Sequence, residues 1–144
     1  MFLTRFIYRS RPRFTVAPPC LDGDLAAIAR AGLDHNPRNQ ITGVLAIDSD
    51  NFVQALEGSR PAVSQTVMRI AHDTRHTDFE LISMEEINER AFPDWSVAFL
   101  DRKSLPLSEP RFASFEAFTA EALLQRLLRV RRTGVIACRT LAAA

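Results

Sequence analysis

At 144 residues the chain holds one domain with room for a small appendage. Hydrophobic residues make up 47% of it and charged residues 24%, enough for a real core, and the net charge of +1 gives the whole molecule no bias toward nucleic acid or acidic membranes. The two cysteines, Cys20 and Cys138, lie far apart with no CxxC, which excludes a disulfide framework and a zinc pattern.

Residues 2–8 are rich in β-formers and read as a first strand, with Phe2, Phe6 and Tyr8 on one face and Leu3 and Ile7 on the other. A loop with three prolines covers 11–23. An amphipathic helix is expected over 24–34, capped by Asp24, with Leu25, Ile28, Ala29 and Leu33 at helical spacing. His35-Asn36-Pro37 should end it, because the residue before proline avoids helical angles. A second strand over 41–47, a turn over 48–51 and a third strand over 51–58 form a hairpin. Ser59 then caps a second helix with Pro61 in its first turn. Val63, Val67, Ile70 and Ala71 line one face of that helix, which stops over 72–76. Further strands are expected over 80–87 and 95–100.

The order is β-α-β-β-α-β-β, an α+β, ferredoxin-like pattern with one extra strand. Because both faces of strand one are apolar, both faces of the sheet need cover. The first two helices supply one side. The segment 112–132, with Phe112, Phe115, Phe118, Leu123, Leu124, Leu127 and Leu128, reads as helical and supplies the other. The expected units are a domain over 1–103, a helical extension over 104–133 and a loosely ordered tail over 134–144. No signal peptide or apolar run of about 18 residues is evident, so a cytoplasmic, reducing setting is expected.

In the third strand, NFVQALEG, alternation puts Phe52, Gln54 and Leu56 on one face and Val53, Ala55 and Glu57 on the other. Glu57 is expected to reach water at the strand end. Gln54 is the odd residue, since an unpaired buried amide costs roughly 1–3 kcal/mol. Taken alone, backbone groups or Tyr8 account for it. Tyr8, the only tyrosine, ends the first strand and can meet Gln54 if strands one and three are neighbours.

Asn36 reads either as a helix terminator or as an amide reaching a ligand between the helices, and His35 is open in the same way. Asp73-Thr74-Arg75-His76 suits a helix end. His72 and His76 share a helical face, but no third ligand is evident and no metal site is expected. Trp95 shares a face with Val97 and Phe99, as a sheet-core tryptophan would. There is no phosphate loop, dinucleotide fingerprint or GxSxG, so no enzyme is expected.

Together, in order, these elements resemble the BLUF family of flavin-binding blue-light sensors. The matching stretches are Phe6-Ile7-Tyr8-Arg9-Ser10, His35-Asn36-Pro37-Arg38, Ile41-Thr42-Gly43, Phe52 to Gly58, Asp73-Thr74-Arg75-His76 and Phe92-Pro93-Asp94-Trp95-Ser96, spanning roughly 1–103. The resemblance implies a noncovalent flavin, FAD in most members and FMN as the alternative, between the first two helices. It implies that Tyr8 gives an electron and a proton to the excited flavin and that Gln54 relays the proton and rearranges its amide. Tyr8, His35, Asn36, Gln54, Arg75 and His76 are the implied flavin contacts, and Trp95 and Val97 the implied switch to output.

Many members carry methionine where this chain has Val97 and serine near Gly32, which puts the output route in question. The resemblance also implies a homo-oligomer signalling to a downstream protein partner, and the near-zero net charge and lack of a long apolar run speak against membrane and nucleic-acid partners. The competing readings are a flavin-free dimerisation module and, lower, an acylphosphatase-type enzyme, which would need a glycine-rich anion loop where this chain has Arg9-Ser10-Arg11-Pro12.

Overall fold

The computed structural model describes residues 2–16, 23–48, 51–99 and 118–139. Its elements are β1 (Leu3–Pro12), α1 (Gly23–Arg38), β2 (Thr42–Asp48), β3 (Asn51–Gly58), α2 (Arg60–Ala71), β4 (His76–Ile87), β5 (Trp95–Phe99), α3 (Ala120–Thr133) and β6 (Val135–Arg139). The strands make one sheet in the order β4-β1-β3-β2-β5-β6. β1 pairs antiparallel with β3 and β4, and β2 antiparallel with β3. β5 lies parallel to β2, with β6 antiparallel on its outer side. The first four strands with α1 and α2 give the expected ferredoxin-like α+β order.

Alternation along the central strands makes two cores. Ile7, Val44, Val53 and Ala55 face α3 and pack with Leu123, Leu124, Leu127 and Val130. Leu45, Phe52, Leu56, Trp95, Val97 and Phe99 face the other way and pack with Leu25 and Ala29 of α1. Phe6 and Tyr8 join Val63 of α2 on that same side. Each large side chain so buried contributes about 1.5–3 kcal/mol relative to leaving it exposed. Two helices on one face and the C-terminal helix on the other is the expected layering.

Ser59 caps α2 by accepting from the Ala62 N–H, with Pro61 in the first turn, as its sequence indicates. Thr119 caps α3 in the same way. Phe112 and Phe115, and the turn residues 49–50, lie outside the described residues. Among the described residues no helix is long and apolar enough to cross a membrane.

Several boundaries differ from expectation. β1 continues past Tyr8 to Pro12, where a proline at the strand's end forfeits little pairing. α1 runs through Pro37 to Arg38. In the last turn that proline removes one intrahelical bond, and the Asn36 carbonyl is satisfied by the Ile41 N–H at 2.8 Å. Phe2 is 67% exposed rather than part of the core. β4 begins at His76 because 76–80 pair with Arg9, Arg11 and Pro12 of the longer β1.

The tail expected to be loosely ordered contains β6, which covers the outer edge of β5 from Phe99 to Ser96. An open β5 edge would leave a row of backbone groups unpaired, and the chain returning from α3 satisfies them.

Candidate functional site

The antiparallel register of β1 and β3 sets Tyr8 directly opposite Gln54. Both side chains rise on the α1–α2 face, into a cleft between those helices and the sheet. Its floor holds Leu45, Phe52, Tyr8, Gln54 and Trp95, and its helical walls hold Ile28, Ala31, Gly32 and Asn36 from α1 and Thr66, Arg69 and Ile70 from α2. Asp73, Arg75 and His76 close one end. The cavity volume is about 230 Å³.

Three side chains at its base form a directed hydrogen-bonded line. Trp95 Nε1 lies 3.0 Å from Gln54 Oε1, and Gln54 Nε2 lies 2.5 Å from Tyr8 Oη. An indole N–H only donates, so the amide atom that meets it must be oxygen. That fixes the amide, and Tyr8 Oη must accept from Nε2. The proton of the Tyr8 hydroxyl is then not used on Gln54. Burial pushes the Tyr8 phenol well above its ordinary pKa, with the Asp73 charge adding to the rise and the Gln54 bond opposing it. The phenol is therefore neutral at any ordinary pH. Tyr8 also stacks on Phe79, with ring centroids 4.8 Å apart.

Trp95 is 2% exposed and sits inside the cleft, against α1. What admits it there is Gly32: a Cβ on that residue would come within 2.2 Å of the indole. A second glycine has a similar task. Gly43 holds φ at 148°, and a Cβ there would meet the Ala55 carbonyl oxygen at 1.8 Å, so only glycine lets β2 lie this close to β3. Its N–H donates to the Asp94 carbonyl, tying β2 to the residue before Trp95.

Asn36 is 4% exposed, lines the cleft, and its side-chain amide hydrogen-bonds to no described residue. His35 stands behind the wall instead of on it, with Nε2 3.0 Å from Thr66 Oγ1 and Nδ1 2.7 Å from Arg69 Nη1. Burial and the charges of Arg69 and Arg38 hold its pKa below the ordinary value. Arg75 lines the cleft and grips Asp73, its Nε 2.9 and 3.1 Å from the two carboxylate oxygens. Asp73 is held below its usual carboxylate range, chiefly by that guanidinium. His76 lines the cleft while its Nε2–H donates to the Ile70 carbonyl at 2.6 Å. Val97 is fully buried in the core beside the cleft and does not line it.

The structure thus brings together Tyr8, Asn36, Gln54, Arg75, His76 and Trp95, and leaves His35 and Val97 one layer back. Sequence reading missed Arg69 and Thr66, and named Asp73 only as part of its motif. Arg69 and Asp73 had a signal: both share a stripe with Thr66 and Ile70 at helical spacing. It also misplaced Glu57, which does not reach water. Glu57 is completely buried, accepts from Arg5 Nε at 2.8 Å, and accepts from the backbone N–H of Ala91 at 3.0 Å and of Phe92 at 2.9 Å.

A flat apolar slot with hydrogen-bonding amides and a phenol at its base, and cations at its rim, fits a planar heteroaromatic ring with a polar edge and an anionic tail. A flavin has that chemistry. The unpartnered Asn36 amide and the Tyr8 hydroxyl proton are the groups that would meet its ring edge.

Comparison with known proteins points the same way. The family model described as "BLUF: Sensors of blue-light using FAD" matches residues 3–98. The solved dark-state structure of BlrB, a BLUF protein, aligns over 90% of this chain and 94% of its own with a TM-score of 0.70 and 33% identity. Klebsiella pneumoniae BlrP1, solved with FMN and cyclic diGMP, aligns over 89% of this chain and 30% of its own with a TM-score of 0.58 and 26% identity. The photoactivated adenylate cyclase subunit beta of Euglena gracilis is 36% identical over 88 residues, 60% of this chain. The match spans 10% of the length of that relative.

Proposed function

The chain belongs to the BLUF family of blue-light sensors, and from that premise we propose that it is a photoreceptor that holds FAD in the α1–α2 cleft and signals through the Tyr8–Gln54 pair. The observation that carries the reading is the amide of Gln54, buried between a phenol and an indole and bonded to both. A bound flavin supplies blue-light absorption and, once excited, a strong demand for an electron. Asn36, Tyr8 and Gln54 hold its ring edge, and Arg75 and His76 close the cleft beside it.

Tyr8 is the group that would give the electron. Burial keeps its phenol protonated, so an electron would leave with the proton rather than from a phenolate. Gln54 Nε2 donates to Tyr8 Oη in this arrangement, so the amide would relay that proton only after turning to put Oε1 against the phenol. With Tyr8 again a neutral phenol, the amide would be left turned. In the turned state Oε1 accepts from the Tyr8 O–H, and Nε2 confronts the Trp95 N–H, donor against donor. The indole therefore sets which of the two arrangements is lower, and the pair forms the bistable element a switch requires. Loss of the Trp95 bond at the start of β5 passes the change to the sheet, and a downstream protein partner reads it. A homo-oligomer is the proposed assembly.

The test is a visible absorption spectrum of the purified protein in darkness and after blue light, for wild type and Tyr8→Phe. A flavin spectrum with a reversible red shift, lost in Tyr8→Phe with flavin still bound, is the expected result. A protein that stays colourless after adding FAD would leave a flavin-free module. A red shift that survives in Tyr8→Phe would remove Tyr8 from the mechanism.

A further inference from the structure

On the α3 side of the sheet, away from the cleft, lies a second recess of about 290 Å³. Gln125, Leu128, Arg129, Arg131 and Arg132 line it from the C-terminal half of α3, and Ala91 lines it from the connection between β4 and β5. Gln125, Leu128, Arg129 and Arg132 fall at i, i+3, i+4 and i+7, so one stripe of the helix faces it. Leu128 and Ala91 pack against the core and give it an apolar floor. Gln125, Arg129 and Arg132 stand exposed around that floor.

The charge of the recess is one-sided. Among the described residues that line it, three carry guanidiniums and none a carboxylate. The acid of α3, Glu121, lies one turn before Gln125 and accepts from that residue's Nε2 at 3.1 Å. Cations suit the last turn of a helix, which explains their sign but not the recess they surround.

One of the three arginines is tied to the cleft. Arg131 donates to Asp94 Oδ1 from Nε at 3.2 Å and from Nη2 at 2.9 Å. The Arg131 and Asp94 side chains are only 20% and 15% exposed, so this pair is better shielded than an ordinary surface ion pair. Asp94 is the residue before Trp95, and its carbonyl accepts from the Gly43 N–H at 2.9 Å. A continuous line therefore runs from Gln54 to the Trp95 indole, along the backbone to Asp94, and on to Arg131 in the wall of the recess.

We propose that this recess docks an acidic segment of a partner protein, its carboxylates against the arginines, and that the Asp94–Arg131 pair makes the affinity depend on the state of Trp95. The planar fork of a guanidinium matches a carboxylate, and arginine clusters recognise acidic motifs in this way. The apolar floor lowers the local dielectric and strengthens such pairing. Nucleic acid fits less well, because a phosphate backbone asks for a run of cations along its length, and here the cations gather at one recess of a chain whose net charge is +1. The light dependence rests on the photoreceptor reading above, whereas the docking site does not.

The experiment titrates flavin-loaded protein into a polyglutamate peptide carrying a red-absorbing dye, followed by fluorescence anisotropy in darkness and under blue light, at low and raised salt. Polylysine and a single-stranded oligonucleotide with the same dye serve as comparisons. Polyglutamate is expected to bind, to weaken as salt rises, and to show a severalfold difference between darkness and light. Replacing both outer arginines, Arg129→Gln with Arg132→Gln, should weaken binding about tenfold and leave the flavin red shift unchanged. Asp94→Asn should bring the dark and lit affinities together with the red shift retained. An affinity unchanged in the double variant would overturn the inference, and so would polylysine or the oligonucleotide binding more tightly than polyglutamate. Equal dark and lit affinities in a wild type that shows the red shift would overturn the coupling through Asp94. A protein with no red shift would overturn the photoreceptor reading, while salt-sensitive polyglutamate binding lost in the double variant would still establish the docking site.

Discussion

Two of the buried polar side chains of β3, Gln54 and Glu57, stand three residues apart on opposite faces of the sheet, and they are built for opposite purposes. Glu57 is 0% exposed and faces the α3 side. It is charged, and its donors are fixed: a guanidinium from β1 and two backbone N–H groups from the connection into β5. Gln54 is neutral, stands on the floor of an open cleft, and among the described residues bonds only to two side chains. Its amide can exchange ends without moving the backbone. A buried charge saturated by backbone donors holds a fold in one state, whereas a buried amide between side chains admits a second one.

Removing Glu57 should give the larger loss of stability. Glu57→Ala leaves Arg5 short of its main partner and strands the Ala91 and Phe92 N–H groups, so the expected cost is about 3–5 kcal/mol. Urea denaturation of flavin-free protein reads it. A cost below about 1 kcal/mol would mean that water replaces the carboxylate and that the site is not sealed.

Gln54→Leu should cost less, about 1–3 kcal/mol, because the phenol and indole lose partners but no charge is stranded. Its functional effect is total: flavin should remain bound and the light-induced red shift should vanish. A surviving shift would take the amide out of the switch, and the contrast between the two residues would reduce to one of charge.

The sequence made Gln54 legible and hid Glu57, for a physical reason. An amide between Phe52 and Leu56 breaks a local apolar pattern, which can be read from three residues. The burial of Glu57 depends on Ala91 and Phe92 folding over the end of β3, more than thirty residues downstream. Local pattern carries no information about that. The same division holds elsewhere. The hairpin of β2 and β3, the Ser59 cap and the pairing of Tyr8 with Gln54 follow from alternation and turn chemistry. β6 does not, because Val135–Arg139 is a strand only through the free edge of β5 that it covers. Pro37 misled because the bias of the residue before a proline is a preference only, and Asn36 stays helical in the last turn of α1.

Trp95 tests the comparison from the cleft side at smaller scale. Trp95→Phe keeps the apolar bulk and removes the N–H that selects the amide's orientation. The expected change in the balance between the two amide states is about 1 kcal/mol, seen as a severalfold change in the rate of dark recovery. Gly32→Ala should act on the same indole by force, since the added Cβ would overlap it. Trp95 is the only tryptophan, so its fluorescence reports displacement directly. A recovery rate unchanged in Trp95→Phe would mean that the indole fills space and does not choose the state.

The smallest effect belongs to Asp73 and Arg75, which combine the features of the two β3 residues: charged like Glu57, but at the cleft's end, with the Asp73 side chain 27% and the Arg75 side chain 31% exposed. The Asp73 carboxyl titrates below its ordinary value of 3.8 when folded, chiefly because of the Arg75 guanidinium. A carboxyl with a depressed folded pKa binds fewer protons in the folded state than in the unfolded one. Its stabilisation is therefore complete above the unfolded value and fades as pH falls through the folded value. Solvent at the site limits it to a few tenths up to about 1 kcal/mol. The difference in stability between wild type and Asp73→Asn should be largest above about pH 5 and shrink steadily below about pH 4. A difference independent of pH would mean that the fork holds by shape and hydrogen bonding alone, and would place Asp73 with Gln54 rather than with Glu57.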